Sequence, residues 1–251
     1  MTGVKPTVGA VVLAGGFGTR LAPLTNDTPK PLLQVGGAAV VTHLIDRIAE
    51  LDNLQQVVVV VNGQHLDQWN RWNRDRRQDL RVAIESNGVV TNEARPGAVV
   101  DLARGVAALE PVDWIAILAG DNLIDEPLQP HVDAAIATGQ PMVLCRDLGD
   151  QVPPGRFGEI TVDGSGRVVR FREKPAHPAS PLAATCTYML PGSIGERIDD
   201  YLLNGDPDSP GRFIGWLIDR QPVSARPLVG RYFDIGNHDT LADARQTWSE
   251  R

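Results

Sequence analysis

The chain reads as an α/β protein with a three-layer α/β/α core around a mostly parallel sheet, elaborated by a β-rich lobe. Apolar, β-branched runs at 8–13 and 57–61 are short and unbroken, as strands buried on both faces of a parallel sheet must be. Stretches with helical apolar spacing alternate with them: Val41, Leu44, Ile45 and Ile48 between those two runs, then Val99, Leu102, Val106 and Leu109. From Pro141 onward the rhythm changes to closely spaced strands with a strong hairpin turn, Asp163-Gly164-Ser165-Gly166.

Taken in order, strand 8–13 opens into Ala14-Gly15-Gly16-Phe17-Gly18-Thr19-Arg20, where small residues let backbone N–H groups converge on one anion. Arg20 ends the loop and Lys30 follows ten residues later between Pro29 and Pro31, so two fixed cations can meet the same phosphate. A helix is expected over 38–51, a central strand at 57–61, and a polar helix over 64–77 whose Trp69 and Trp72 anchor it to the core rather than stack on bases. A third strand at 81–85 leads to a loop, 86–97, without periodicity, and then to a helix at 97–109. Strand 114–118 ends in Ala119-Gly120-Asp121-Asn122, which sets a carboxylate at the carboxyl edge of the sheet, where ligands bind in open α/β folds. Further strands are expected at 142–146, 156–162, 167–172 and 182–190, helices at 192–203 and 212–220, and a closing helix at 239–248.

The 251 residues, 42% of them apolar, suffice for one large domain, and no apolar run is long enough to span a membrane. The first seven residues lack the apolar core of a secretory signal, so a cytoplasmic protein is expected. A formal charge of −7 argues against a general nucleic-acid or anionic-membrane surface while leaving room for a local phosphate site. Cys145 and Cys186 are expected reduced, and the five histidines form no zinc motif. The dinucleotide fingerprint fails at Leu21, which stands where a small residue is needed, and no Gly-Lys-Ser or Gly-Lys-Thr of a P-loop occurs.

The strings G-G-x-G-T-R-L-x-P-L-T and P-K-P-L-L-x-V-G-G, at 15–37, resemble the signature of the sugar-1-phosphate nucleotidyltransferases, the family that includes glucose-1-phosphate thymidylyltransferase. Gly120-Asp121-Asn122, Glu173-Lys174-Pro175 and Tyr232-Phe233-Asp234-Ile235-Gly236 continue the match, the last with tyrosine in place of the family's tryptophan. The resemblance implies a Rossmann-like nucleotidyltransferase fold in one domain, 1–251, with nucleotide bound by about 1–140 and sugar phosphate by about 141–251. It implies nucleotide contacts from Leu13, Ala14, Gly15, Gly16, Gly18, Thr19 and Gly97, charge stabilisation by Arg20, Lys30 and Lys174, the last on the sugar phosphate, and Mg²⁺ held by Asp121 and Asp234. Gly158 and Glu173 resemble sugar-binding positions, and Thr185 faces either the ligand or a satisfied core. The family's base-reading glutamine is absent; Asn92, five residues before Gly97, is the amide expected in its place, which leaves the base open. Longer relatives carry a further C-terminal helical region, so their allosteric regulation is not expected here.

The implied reaction is NTP plus sugar or cyclitol 1-phosphate giving NDP-sugar and pyrophosphate. Rival readings are a phosphocholine-type cytidylyltransferase, for which 5% aromatic content offers little of a choline cage, and a glycosyltransferase, for which no Asp-x-Asp motif stands at Asp121. A non-enzymatic nucleotide sensor would have little use for Arg20, Lys30, Asp121, Lys174 and Asp234 together. The expected partners are thus small molecules, with a homo-oligomer left open because an apolar stripe serves core and interface alike.

Overall fold

The computed structural model describes residues 5–76 and 79–248. Its strands are β1 (Val8–Ala14), β2 (Gln34–Val35), β3 (Ala38–Ala39), β4 (Leu54–Val61), β5 (Val82–Ser86), β6 (Trp114–Ala119) and β7 (Asn122–Ile124). They continue with β8 (Met142–Asp147), β9 (Gly158–Val162), β10 (Val168–Arg172), β11 (Leu182–Pro191), β12 (Ser224–Pro227) and β13 (Tyr232–Asp234). The α-helices are α1 (Val40–Ala49), α2 (Leu66–Asp75), α3 (Ala98–Ala108), α4 (Gln129–Thr138), α5 (Ile194–Leu202), α6 (Pro210–Ile218) and α7 (His238–Trp248).

Among the described residues the main sheet has nine strands, with the path β10-β9-β11-β6-β1-β4-β5, β8 attached to β11 and β12 attached to β8. The half formed by β6-β1-β4-β5 is all parallel, as the unbroken valine run predicts. β11 runs against β6, β8 and β9, and β10 runs against β9, so the sheet is mixed while most strands share one direction.

Alternation along the strands explains the layers. Val8, Ala10, Val12 and Ala14 of β1, with Val57, Val59 and Val61 of β4, pack into one core with α1, α4 and the fully buried Trp69 of α2. Val11, Val58 and Val60 point to the other face, against α3, α5 and α6. There α3 comes down to backbone distance, because a methyl on Gly105 would lie 2.5 Å from Val11 Cγ1. A third cluster, Leu21, Leu33, Val35, Val40, Leu123, Ile235, Leu241 and Ala244, ties the glycine-loop side and β7 to the C-terminal helix.

The expected elements are present with shifted ends, and six strands and helices were unread: β2, β3, β7, α4, β12 and β13. The expected helix 38–51 begins two residues late because Ala38–Ala39 pairs with Gln34–Val35 instead. The hairpin forms as expected, its turn held by Asp163 Oδ1, which accepts from Ser165 N at 2.9 Å. The Arg77 end of the polar helix, and Met1–Val4 of the segment read for a signal, lie outside the described residues. No helix among the described residues is long and apolar enough to cross a membrane.

Candidate active site

The glycine loop leaves β1 at Ala14 and turns at Gly18, whose φ of 64° is the left-handed region that favours glycine. Thr25 Oγ1 donates to Gly18 O at 2.9 Å and pins the turn, while a Cβ on Gly16 would meet nothing, so that stretch of backbone faces open space. From the C-terminal side of the loop the 3-10 turn Thr19–Leu21 presents Arg20, and a second turn, Lys30–Leu32, presents Lys30.

Lys30 reaches across 91 residues of sequence to bond the Asp121 carboxylate. β13 lies antiparallel on β7 with Asp234 opposite Asn122, and Ile235 N donates to Asp121 O at 3.1 Å, so Asp121 and Asp234 stand side by side. Burial and then the Asp121 charge push the Asp234 carboxyl up, against the pull of Lys30, Arg156 and Arg20. Arg20 also comes close: its Nη2 and Asp234 Oδ2 both lie 3.7 Å from the Cβ position of Gly236. Two polar groups lock this corner in place, since Asn122 Nδ2 and Tyr232 Oη donate to the same carbonyl, Thr185 O, at 2.8 and 3.0 Å. These are two oxygen-donor carboxylates, one partly buried beside the other, with cations around them; that donor set suits a hard divalent ion.

Beyond Asp121 a cavity of about 420 Å³ runs between β6, β9, β11 and the start of α6, lined among others by Arg20, Asp121, Gly158, Phe171, Glu173, Lys174 and Asp234. A second cavity of about 490 Å³ shares Arg156, Phe157, Thr185, Tyr232 and Asp234 with it. Lys174 has φ 43°, uncommon for a residue with a Cβ, and pairs loosely with Glu173 at 3.6 Å. Such backbone strain is tolerated where the surrounding structure over-determines it, which includes ligand clamps. The ring of Phe171 is seated against two glycines: a Cβ on Gly158 or Gly211 would lie 2.5 Å from Phe171 Cζ.

Asp121, Asp234, Lys30 and Arg20 therefore share one centre, with Gly158, Glu173, Lys174 and Thr185 lining the adjoining cavity. Thr185 is the exception in kind. Its Oγ1 donates to Leu144 O at 2.9 Å, so the hydroxyl serves the core although the residue borders the cavity. Asn92 sits in a 3-10 turn, Asn92–Ala94; the amides beside the glycine loop are Asn62, whose Nδ2 donates to Gly15 O at 3.2 Å, and Asn87, whose Nδ2 donates to Asp101 Oδ1 at 2.9 Å. Arg156, over the Phe157 ring at 4.8 Å, was not expected; its only sequence signal is its place two residues before Gly158. Trp72 Nε1 donates to Thr42 Oγ1 at 2.9 Å, the structural anchor foreseen. Cys145 and Cys186 are free thiols, with Cys186 bordering the cavity and pushed up to about 12 chiefly by burial.

The profile of the nucleotidyl transferase family matches residues 9–251. The chain belongs to that family. Among curated relatives it is 30% identical over 252 residues to a glucose-1-phosphate adenylyltransferase of Thermosipho africanus, a match covering 90% of this chain and 58% of that protein. It is 26% identical to the bifunctional protein GlmU of Methanococcus aeolicus, over 94% of this chain and 53% of the relative. The chain thus spans little more than half the length of these relatives. Among solved structures, a Bacillus anthracis protein assigned as a glucose-1-phosphate thymidylyltransferase superposes with a TM-score of 0.83 at 20% identity, covering 98% of this chain and 96% of that one. A UDP-glucose pyrophosphorylase complexed with UDP-glucose gives 0.78 at 17% identity, covering 96% and 98%. The likeness to these structures establishes the family's α/β fold for this chain.

Proposed function

We propose that this nucleotidyltransferase transfers NMP from an NTP to a sugar or cyclitol 1-phosphate, releasing pyrophosphate and an NDP-sugar. The observation that carries the reading is the pairing of Asp121 with Asp234 between the glycine loop, with its cations Arg20 and Lys30, and the cavity bordered by Glu173 and Lys174. The relatives named for adenylyl transfer to glucose 1-phosphate support this substrate class.

A phosphate monoester has a second pKa of about 6, so the attacking oxygen is already ionised at neutral pH and no general base is required. The barrier is electrostatic, the approach of one anion to another in line at the α-phosphorus. Open backbone at Gly16, with Gly15, Gly18 and Thr19, would receive the triphosphate, and Arg20 and Lys30 would hold its charge. Asp121 and Asp234 would hold Mg²⁺, which when bound neutralises phosphate charge there. Across the cavity Lys174 and Arg156 would steer the incoming phosphate, with Glu173 accepting from sugar hydroxyls and Gly158 letting the ring approach the backbone.

The test is pyrophosphate release from an NTP panel with and without sugar 1-phosphates, in the presence of Mg²⁺. Pyrophosphate that depends on the sugar phosphate is the expected result; nucleotide hydrolysis without it, or transfer of sugar from an NDP-sugar, would overturn the reading.

A further inference from the structure

Between the glycine loop and the start of α3 the chain buries a carboxylate for which the proposed reaction has no use. Asp101 is 7% exposed and is fixed in the first turn of α3, where its N–H donates to Gly97 O at 3.1 Å. Its Oδ1 accepts from Asn87 Nδ2 at 2.9 Å, whereas Oδ2 has no donor among the described residues and is not sealed from solvent. Oδ2 lies directly over the Gly15 Cα, in space that any side chain at position 15 would fill. Burial pushes the Asp101 carboxyl up, and Asn87 and Arg104 only partly offset this. A half-satisfied carboxylate in such a place is a cost to the fold that an apolar side chain would avoid.

The placement tells what it faces. β1, β4 and β5 end in register, Ala14 beside Val61 and Val61 beside Ser86, so Gly15, Asn62 and Asn87 emerge together at one edge. Asn62 Nδ2 donates to Gly15 O at 3.2 Å and fixes the loop there. A nucleotide with its phosphates on the loop and its α-phosphorus toward the sugar cavity must extend its base the opposite way, to this edge. The Asn87 amide cannot flip, because Oδ1 accepts from Val89 N at 3.0 Å while Nδ2 donates to Asp101; one Nδ2 hydrogen remains to be given. The edge thus offers one donor beside carboxylate acceptors.

We propose that Asp101, together with Asn87, reads the base and selects a guanine nucleotide; the proposal rests on the nucleotidyltransferase reading above. Guanine presents an acceptor, O6, followed by two donors, N1–H and N2–H₂, which complement an amide donor followed by carboxylate oxygens. Adenine and cytosine each match this array at two points. Uracil and thymine flank a single N–H with two carbonyls and set one of them against the carboxylate. Leaving a site's buried polar groups unpaired is what makes such discrimination large.

The experiment is calorimetric titration of the full chain with GTP, ATP, CTP, UTP and dTTP in the presence of Mg²⁺, for wild type and Asp101→Asn, with thermal melting to verify that the near-isosteric variant folds. Wild type should bind GTP at least about tenfold tighter than UTP or dTTP, the loss expected for an unmade bond to a charged group. Asp101→Asn should lose about tenfold or more for GTP and nothing for UTP. Tightest binding of UTP or dTTP, equal binding of all five, or an unchanged GTP-to-UTP ratio in the variant would overturn the assignment. Selective GTP binding without sugar-dependent pyrophosphate would uphold Asp101 and overturn the reaction; sugar-dependent pyrophosphate formed best from UTP would do the reverse.

Discussion

Replacing Lys30 by Met removes the cation from the most crowded point of the site while keeping the length of the side chain. Lys30 and Asp121 are only 15% and 20% exposed, and Asp234 stands beside them with its carboxyl already raised by burial and by Asp121. Removing one partner of a fully buried pair costs about 3–5 kcal/mol. The remaining exposure screens part of this, which leaves about 2 kcal/mol at neutral pH. For a protein of this size that corresponds to a fall in Tm of about 4–8 °C. The sign with pH follows from Asp234: a carboxyl whose folded pKa lies above its unfolded one favours the fold at acid pH, and that contribution is lost as pH rises through the folded value. Without Lys30 the Asp234 carboxyl rises further, so the deficit of Lys30→Met should shrink from pH 7 toward pH 4, and should shrink at pH 7 when Mg²⁺ replaces a chelator. Thermal melts of both proteins over that grid are the assay. A deficit that ignores both pH and Mg²⁺ would refute the convergence of Lys30, Asp121 and Asp234.

Arg20→Ala should cut sugar-dependent pyrophosphate release by about a hundredfold or more with an unchanged melting curve, since one positioned charge-stabilising donor is typically worth two to three decades in rate. Gly158→Ala, whose Cβ would lie 2.5 Å from Phe171 Cζ, should raise KM for the sugar phosphate more than KM for the nucleotide, as steady-state kinetics would reveal. Gly105→Val should destabilise by about 1–3 kcal/mol in urea titration, because α3 is packed on Val11 at backbone distance. Asp101→Asn should raise Tm at pH 7 and not at pH 4, since the folded Asp101 carboxyl is raised by burial and so weakens the fold as pH rises through that value.

Much of the fold was legible because the sheet writes itself in residues with one role. The valines of β4 alternate between two cores, so an unbroken run could only be a central strand. α4 was missed for the opposite reason: its apolar residues are mostly alanines, and Pro130 in its first turn looks like a breaker although that position tolerates it. β7 and β13 are three residues each and exist through their mutual pairing across more than a hundred positions, which local spacing does not encode.

At the site, the residues with fixed motif spacing, Arg20, Lys30, Asp121 and Asp234, proved to be neighbours. Specificity was less legible. The path of 87–97 turns at Gly88, at φ 76°, and through a 3-10 turn at Asn92–Ala94, so spacing counted back from Gly97 does not reveal that Asn87 stands beside the glycine loop. Thr185 was ambiguous because a hydroxyl suits a ligand or a carbonyl equally, and here Leu144 O accepts it. Arg156 was not singled out because an arginine two residues before a strand is ordinary until Asp234 is folded near it.

The central claim is that Asp121 and Asp234 act as one metal-binding pair facing the nucleotide phosphates. Electron paramagnetic resonance of Mn²⁺ bound in the presence of a non-hydrolysable NTP tests it directly. One tightly bound ion per chain, lost equally in Asp121→Asn and Asp234→Asn, is the predicted result; full Mn²⁺ binding in either variant would contradict it.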